Sequence, residues 1–316
     1  MAIYSCLIVI IIATVVLCDH NHDINPNVKI DNKYKISWFT NAGYIDYNYE
    51  FYKNNSGIIT EYYPCCMSFL VGDKGNFIQS YPDDEVYAFT VPYLKLNVGV
   101  LPVITCNNAT NMYKAYDNPY NFIYDAISVI KKFNFTGYIF DYEASDDNAT
   151  LYAEFLDTFA NELHKINKTL GVCLASWGIL SRYDVFGKTN IDVFMNMATY
   201  NPTDMTYMYT KWLVNNVTVP TKAVNGIANP SAPSIRFKRF NNRLNKLDNR
   251  LNKMDDKWTN KTLTKYLNYV KSYKMNHIAI WWCPNTIKDG FIPQFFADAL
   301  MQFIHSDDLS KKELAN

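Results

Sequence analysis

Two acidic side chains two positions apart, Asp141 and Glu143, end an apolar stretch that reads TGYIFDYEAS (136–145). In a β-strand, residues two apart point to the same side, so Ile139, Asp141 and Glu143 would share one face. A carboxyl group held among apolar and aromatic walls keeps its proton to a higher pH, which suits Glu143 to act as a general acid. Asp141, one step deeper, would hydrogen-bond Glu143 and stabilise a positive charge that develops beside it.

Asp141 and Glu143 can act together in catalysis only if the strand that carries them ends at an active site. In a barrel of parallel strands, one face of each strand lines the interior, and active sites form at the C-terminal ends of the strands. Such a barrel would bring both carboxyl groups to its mouth. The alternative is a strand end that meets solvent, with both acids solvated and capping the segment that follows.

Strand-like and helix-like segments alternate along the chain, as a barrel requires. Apolar, β-branched or aromatic runs occur at 34–40, 65–71, 96–106, 135–141, 170–176, 193–200, 222–227 and 277–283. Helical spacing of apolar residues recurs at 122–130, 151–163, 205–213, 263–270 and 295–303. Eight strand-like runs with intervening helices predict the α/β class and a (β/α)8 TIM barrel, in preference to a doubly wound sheet.

One segment interrupts this alternation. NRLNKLD (242–248) is followed at once by NRLNKMD (249–255), which places apolar residues at coiled-coil spacing on a charged helix. Two heptads are too short for a coiled coil that is stable alone. We therefore predict a helical insertion, at about 230–260, between strand 7 and helix 7. It is either a solvated surface helix or a lid or oligomer contact.

The N-terminal segment indicates a secretory route. MAIYSCLIVIIIATVVLC carries an apolar block that is short for a membrane span and typical of a signal peptide. We predict a signal peptide at 1–18, with an uncleaved anchor as the alternative, and a single domain at 19–316. Asn-x-Ser/Thr acceptors at Asn54, Asn108, Asn134, Asn148, Asn167, Asn216 and Asn260 agree with a secreted or lysosomal glycoprotein.

Composition narrows the classes of partner. The 30 basic and 30 acidic side chains cancel, so there is no charge signature for nucleic acid or an anionic membrane. The 25 tyrosines and 6 tryptophans suit a sugar or peptide groove as well as a core. Cys65, Cys66, Cys106, Cys173 and Cys283 show no metal-ligand spacing and are expected to be buried thiols or to form one or two bridges.

The acidic stretch resembles the fourth-strand signature of glycoside hydrolase family 18, DxxDxDxE, which the chitinases and related N-acetylglucosaminidases carry. Asp141, Tyr142 and Glu143 match it, whereas Thr136 and Ile139 take the first two Asp positions. Other segments resemble the family in the same order along the chain. They are WFTN (38–41), FLVGDKGNFI (69–78), MATYN (197–201) and IAIWWCPN (278–285).

The resemblance implies a retaining hydrolysis in which the 2-acetamido group of the substrate is the nucleophile. Glu143 would protonate the glycosidic oxygen, Asp141 would orient the acetamido nitrogen, and Tyr200 would hydrogen-bond the acetamido oxygen. Trp281 would floor the sugar site, and Trp38, Tyr142 and Asn201 are further candidates for substrate binding. The expected substrate is an oligosaccharide or polysaccharide that contains N-acetylglucosamine, cleaved by a monomer without metal or cofactor.

Departures from the family pattern leave two other functions open. Without an acid at Ile139, Asp141 lacks the partner that shares its proton in the family. The chain could therefore be a glycan-binding, chitinase-like lectin on the same barrel. A third reading is a different barrel hydrolase that pairs Glu143 with an acid elsewhere, such as Asp184 or Asp204.

Overall fold

The computed structural model describes most of the barrel domain. The described residues are 34–41, 52–53, 55, 57–65, 69–106, 108–144, 146–200, 202–228, 258–281 and 293–313, all within one compact unit, Asp31–Asn316. The predicted signal peptide, both heptads of the predicted insertion and Asn201 lie outside them.

The described strands form one 11-stranded sheet. They are β1 (Lys35–Asn41), β2 (Glu61–Cys65), β3 (Phe69–Val71), β4 (Phe77–Gln79), β5 (Gly99–Val100), β6 (Val103–Thr105), β7 (Gly137–Asp141), β8 (Thr169–Leu174), β9 (Val193–Asn196), β10 (Ala223–Ala228) and β11 (His277–Trp281).

The parallel strands of this sheet curl into a barrel-like wall. The parallel pairings run from β1 through β2 to β5, and from β6 through β7, β8, β9 and β10 to β11, which pairs with β1 again. β3 also pairs with β6, and the short β4 joins β3 in antiparallel register. The prediction of a TIM-barrel-like fold is confirmed.

Helices cover the outside of the sheet. They are α1 (Asp83–Leu94), α2 (Ala109–Asp117), α3 (Pro119–Phe133), α4 (Ala149–His164), α5 (Tyr183–Phe186), α6 (Asp204–Asn216), α7 (Asn260–Ser272) and α8 (Gln294–Glu313). None of the helices formed by described residues is long and apolar enough to cross a membrane.

Helix α6 buries a different face from the one its apolar residues predict. Met205 and Trp212 are 44% and 50% exposed, whereas Thr206 and Thr210 are fully buried. The hydroxyl of Thr210 lies 2.9 Å from the hydroxyl of Tyr266 on α7. The buried hydroxyl thereby has the partner that it needs, and the buried face of α6 combines this polar contact with Leu213, which is also fully buried.

Alternate residues of the barrel strands face opposite layers. Tyr62 on β2 stacks on Tyr93 of α1, with ring centroids 4.0 Å apart, so this side of β2 faces the helices. Its neighbours Glu61 and Tyr63 face the interior. Tyr63 interacts there electrostatically with Cys173 on β8, across the barrel.

A polar cluster closes the interior at the N-terminal ends of the strands. This basal cluster comprises Lys35, Ser37, Glu61, Tyr63 and His277. Glu61 accepts hydrogen bonds from Lys35 Nζ at 2.8 Å, Ser37 Oγ at 3.2 Å and Tyr63 Oη at 2.6 Å. The Nε2 atom of His277 contacts Ser37 Oγ and lies 3.5 Å from Glu61 Oε2.

The basal cluster holds an ionised acid and a neutral histidine. Burial acts to raise the pKa of Glu61, but the charges of His277 and Lys35 and the hydrogen bonds from Lys35 and Tyr63 outweigh it and hold that pKa at about 2. Burial lowers the pKa of His277 from 6.5 to about 4. At neutral pH the imidazole is therefore uncharged in the folded chain.

We expect acid to destabilise the protein through His277. Because folding lowers the pKa of this side chain, its full contribution is present above pH 6.5 and is lost as the pH falls towards 4. The loss amounts to about 3 kcal/mol of unfolding free energy. Urea unfolding at several pH values should show this slope in the parent and a flatter one in His277→Gln. The same change at the exposed His305 is the control, and an unaltered slope in His277→Gln would contradict the prediction.

Candidate active site

The strand β7 brings its acidic end to the mouth of the barrel. The hydroxyl of Tyr138 donates to the carbonyl of Ala126 on α3, so the Tyr138 side of β7 faces the helices. Ile139 and Asp141 therefore face the interior. A Cβ atom placed on Gly171 of β8 would lie 2.4 Å from Cδ1 of Ile139, which shows how closely Ile139 fills the space beneath Asp141.

Asp141 and Glu143 interact and hold protons more tightly than ordinary acids do. Burial, together with the charge of Glu143, raises the pKa of Asp141 to about 7. Partial desolvation at the rim raises the pKa of Glu143. The Oδ1 atom of Asp141 is buried without a hydrogen-bond partner among the described residues. The pair can therefore keep one proton near neutral pH and offers an unused acceptor to a ligand.

The loop that carries Glu143 is tied to the helices by Asp147. The Oδ2 atom of Asp147 accepts hydrogen bonds from Tyr142 Oη at 2.7 Å and from Tyr116 Oη at 2.9 Å. Tyr142 is buried and packs edge-on against Tyr152 of α4. Its side chain therefore points away from the barrel interior, which does not fit the predicted contact with substrate. Its place in the structure is that of an anchor for the loop.

Tyr200 and Trp281 meet at the mouth as a stacked pair. Their ring centroids are 4.8 Å apart and their planes differ by 17°. The Tyr200 hydroxyl is buried and has no hydrogen-bond partner among the described residues. Burial raises the pKa of Tyr200 well above 10, and Cys173, Asp141 and Glu143 add to the shift. The structure thus brings Tyr200 and Trp281 together with both acids, with a neutral phenol available to donate.

The position of the Tyr200 ring depends on a glycine in β10. A Cβ atom at Gly226 would lie 2.3 Å from Cε1 of Tyr200, closer than atoms approach. The backbone of Tyr200 cannot move away easily, because its carbonyl accepts hydrogen bonds from Trp258 Nε1 at 2.8 Å and Ala228 N at 2.9 Å. A side chain at Gly226 must therefore displace the ring.

We expect Gly226→Ala to weaken sugar binding about tenfold or more. A displaced Tyr200 ring no longer stacks on Trp281, and its hydroxyl no longer lies where it can donate a hydrogen bond to a ligand. Titration with N-acetylchitotriose by calorimetry measures the effect, and thermal melting checks the fold. Gly57→Ala is the control, since nothing lies within 4 Å of a Cβ atom there. Equal affinities in both variants would contradict the prediction.

Trp38 and Asn201 complete the predicted binding residues. Trp38 is fully buried and lies on the helix-facing side of β1, with its ring centroid 5.6 Å from that of Tyr62. The prediction that Trp38 lines the groove does not fit this position, because strand parity turns Ser37 and not Trp38 inwards. Asn201 lies outside the described residues, and its role stays a prediction.

Cys173 lies in the interior beside Asp141, although the sequence predicts no role for its thiol. Cys173 and Cys106 are free and buried, and Cys65 is also buried. In the register of β7 and β8, Phe140 pairs with Val172, so Asp141 and Cys173 lie side by side. The Cys173 thiol acts to lower the pKa of Asp141, against the larger effects of burial and of the Glu143 charge. Strand parity along the apolar run 170–176 would have placed it there once β7 and β8 were taken as neighbours.

The other candidate acids take part in different contacts. Asp184 forms an exposed, two-pronged ion pair with Arg182 at 2.9 Å, and Asp204 lies in the first turn of α6.

A cavity of about 620 Å³ lies by the N-terminus of α4 and is lined by Tyr113, Asp146–Thr150, Gly178, Ile179 and Arg182. Among the described residues, no His, Cys, Asp and Glu side chains gather into a group that could hold a metal ion.

Comparisons with known proteins identify this fold. No protein-family model and no curated protein sequence matches the chain. Among solved structures, it is similar to a class V chitinase from Pseudomonas fluorescens, with 11% identity, 85% of this chain and 99% of that chain covered, and a TM-score of 0.64. It is also similar to a family 18 chitinase from Cycas revoluta in complex with (GlcNAc)3. The identity is 12%, 85% of this chain and 99% of that chain are covered, and the TM-score is 0.60.

A third similar structure is the Bacillus cereus spore cortex-lytic enzyme SleL, with 13% identity, 86% of this chain and 74% of that chain covered, and a TM-score of 0.64. The structural similarity shows a shared fold. At identities this low, the activity has to be argued from the residues of the site. The chain is a divergent protein with the barrel fold of the glycoside hydrolase family 18 chitinases.

Proposed function

We propose that the chain is a glycoside hydrolase that cleaves β-1,4-linked N-acetylglucosamine glycans, such as chitin or chitooligosaccharides. The observation that carries the proposal is the interaction of Asp141 with Glu143 at the end of β7, where the pKa of each carboxyl group is raised. A proton held near neutral pH beside a carboxylate is what substrate-assisted retaining hydrolysis needs. Similarity to a chitinase in complex with (GlcNAc)3 supports the class of substrate.

In the proposed reaction, Glu143 donates its proton to the glycosidic oxygen as the bond to the anomeric carbon breaks. The acetamido carbonyl oxygen of the same sugar attacks that carbon and forms an oxazolinium ion. Asp141 accepts the hydrogen bond of the acetamido N–H and balances its positive charge. Water then attacks the anomeric carbon and gives a proton to Glu143, while the bond from that carbon to the acetamido oxygen breaks and the acetamido group is restored. The product keeps the original anomeric configuration.

Tyr200 and Trp281 would hold the sugar for this reaction. The buried, unpartnered hydroxyl of Tyr200 can donate to the acetamido oxygen. Trp281 presents one face to Tyr200, and its other face can stack beneath the pyranose ring. Both contacts would align the acetamido oxygen with the anomeric carbon, which reduces the entropy cost of the attack.

The first test is turnover of chromogenic N-acetylchitobiose and N-acetylchitotriose from about pH 3 to 8, a range that spans both acids. We expect cleavage with retention at the anomeric centre and no cleavage of the matching glucosyl substrates, which lack the acetamido nucleophile. Saturable sugar binding without turnover would overturn the hydrolase and leave the lectin. Cleavage of the glucosyl substrates would overturn the substrate-assisted route.

We further propose that the protein enters the secretory pathway and is secreted or lysosomal. The support is the apolar N-terminal block and the acceptor asparagines of the sequence. Expression of the full chain in eukaryotic cells, followed by N-terminal sequencing of the protein in the medium and the lysosomal fraction, tests it. A chain that keeps its N-terminal block and remains outside the secretory pathway would overturn this proposal.

A further inference from the structure

Glu143 lies on a segment that the sheet no longer holds. Strand β7 ends at Asp141, which pairs with Thr105 of β6, so Glu143 lies beyond the last pair of the ladder. The next regular element is α4, which begins at Ala149. A misplacement of about 1 Å can lower a catalysed rate about a hundredfold. The side-chain contacts of residues 142–148 therefore decide how well Glu143 can serve as a proton donor.

Three side chains hold this segment to the helices. The Oδ2 atom of Asp147 accepts hydrogen bonds from Tyr142 Oη at 2.7 Å and from Tyr116 Oη at 2.9 Å. We call Tyr116, Asp147 and Tyr142 the loop anchor. Tyr142 directly precedes Glu143 in the chain. A Tyr142 ring that is held on the helix side therefore fixes the backbone from which the Glu143 side chain extends.

Both donors of the loop anchor keep their hydrogens. Burial raises the pKa of Tyr116 well above 10, and the charge of Asp147 adds to the shift. Burial likewise raises the pKa of Tyr142 well above 10, and its hydrogen bond to Asp147 adds to that shift. The two phenols therefore remain donors at every pH of a glycosidase assay. Their shared acceptor is a carboxylate, which forms stronger hydrogen bonds than a neutral oxygen does.

Helix α2 provides a fixed support for the loop anchor. Tyr116 lies in the last turns of this helix, and its neighbours on the helix are bound to the chain that follows β3. Asn111 Nδ2 donates to the carbonyl of Val71 at 3.3 Å. Lys114 Nζ donates to the carbonyl of Asp73 at 2.5 Å. Tyr116 thus presents its hydroxyl from a helix that is joined to a second part of the barrel mouth.

We propose that Asp147 is a positioning residue, which joins Tyr142 to Tyr116 and thereby holds Glu143 where it can protonate the glycosidic oxygen. This role rests on the proposed hydrolase function and deepens it. Asp147 acts through Tyr142 and exchanges no proton with the substrate.

Substitutions in the loop anchor should change kcat and not KM. Asp147→Ala removes the shared acceptor and should lower kcat roughly tenfold to a hundredfold, with KM within about threefold of the parent value. Tyr142→Phe and Tyr116→Phe keep their rings, lose one hydrogen bond each, and should lower kcat roughly threefold to tenfold. Asp147→Asn keeps an oxygen that accepts from both phenols and should retain most of the activity.

Tyr138→Phe is the matched control for packing and stability. This tyrosine is also buried on β7 and donates to the carbonyl of Ala126 on α3, but it lies outside the loop anchor. Its loss of a buried hydrogen bond should lower the melting temperature, as Tyr142→Phe also should, while kcat stays at the parent value. A Tyr138→Phe variant that loses as much kcat as Tyr142→Phe would overturn the positioning role.

A double-mutant cycle tests whether the three side chains act as one unit. In the Asp147→Ala background, adding Tyr142→Phe should change kcat by less than about twofold, because the hydrogen bond that it removes is already lost. Fully additive losses, or an Asp147→Ala variant with the kcat of the parent, would overturn the proposal.

Hydrogen exchange measured by mass spectrometry tests the loop anchor without any turnover. Peptides that cover residues 142–148 should exchange faster in Asp147→Ala than in the parent and in Tyr138→Phe, because local opening becomes easier. Equal exchange in all three would overturn the proposal. A parent chain without turnover would instead overturn the proposed function and the catalytic use of the loop anchor, while the exchange rates still decide whether Asp147 holds the segment.

Discussion

Glu143→Gln should lower kcat roughly a hundred- to ten-thousand-fold, the range that a lost general acid produces. The amide keeps the size and hydrogen-bonding reach of the carboxyl group but has no proton to give to the leaving oxygen. Binding of N-acetylchitotriose should persist within about threefold, since the stack of Tyr200 on Trp281 is untouched. Stopped assays with purified variants measure kcat, and calorimetry measures binding.

The same substitution at Glu154, an exposed acid on α4, is the control for Glu143→Gln and should leave kcat unchanged. A Glu143→Gln variant with turnover equal to that of the Glu154→Gln variant would show that the acid lies elsewhere in the chain. Loss of both turnover and binding, with an altered melting temperature, would point to a misfolded loop.

Asp141→Asn should both slow the reaction and shift its pH dependence. Burial and the charge of Glu143 raise the pKa of Asp141 to about 7, so the pair keeps its proton up to that pH and the parent should lose activity as the pH rises through 7. In Asp141→Asn only Glu143 holds a proton, and its pKa is raised by desolvation alone. The alkaline limb should therefore move to lower pH, and kcat should fall about a hundredfold or more because the oxazolinium charge is unbalanced.

Rate profiles of the parent, Asp141→Asn and Asp125→Asn, a change at an exposed acid of α3, check this expectation. The Asp125→Asn profile should coincide with that of the parent. An Asp141→Asn profile with the alkaline limb of the parent would mean that Asp141 is not part of the titrating pair.

Strand parity is the part of the site that the sequence predicts well. Ile139, Asp141 and Glu143 were expected on one face, and the helix-facing contact of Tyr138 agrees with that alternation. The same rule, applied to β7 and β1, would have turned Tyr142 and Trp38 towards the helices. The resemblance makes both residues candidates for substrate binding, yet large rings also fill the layer between sheet and helices.

Polar contacts between distant segments are the part that the sequence does not predict. Glu61 begins β2 and faces the interior. Because an acid followed by Pro64 does not resemble a barrel strand, the predicted strand-like run at 65–71 includes only the last residue of β2. The contact of Thr210 with Tyr266 turns α6 against its apolar stripe in the same way. Such pairs are visible only after the fold has brought their strands or helices together.

The basal cluster also has a consequence for the synthesis of the chain. Its Ser37 and His277 come from β1 and β11, 240 residues apart, and these strands pair to complete the ring. While a ribosome still holds the C-terminal part, β1 and β10 remain open edges, and the acid of Glu61 lacks its imidazole neighbour. Long-range closure of this kind is slow and exposes intermediates to aggregation. Ribosome-bound chains that stop short of β11 should consequently be degraded readily by protease, and resistance should appear as one late step once β11 has emerged.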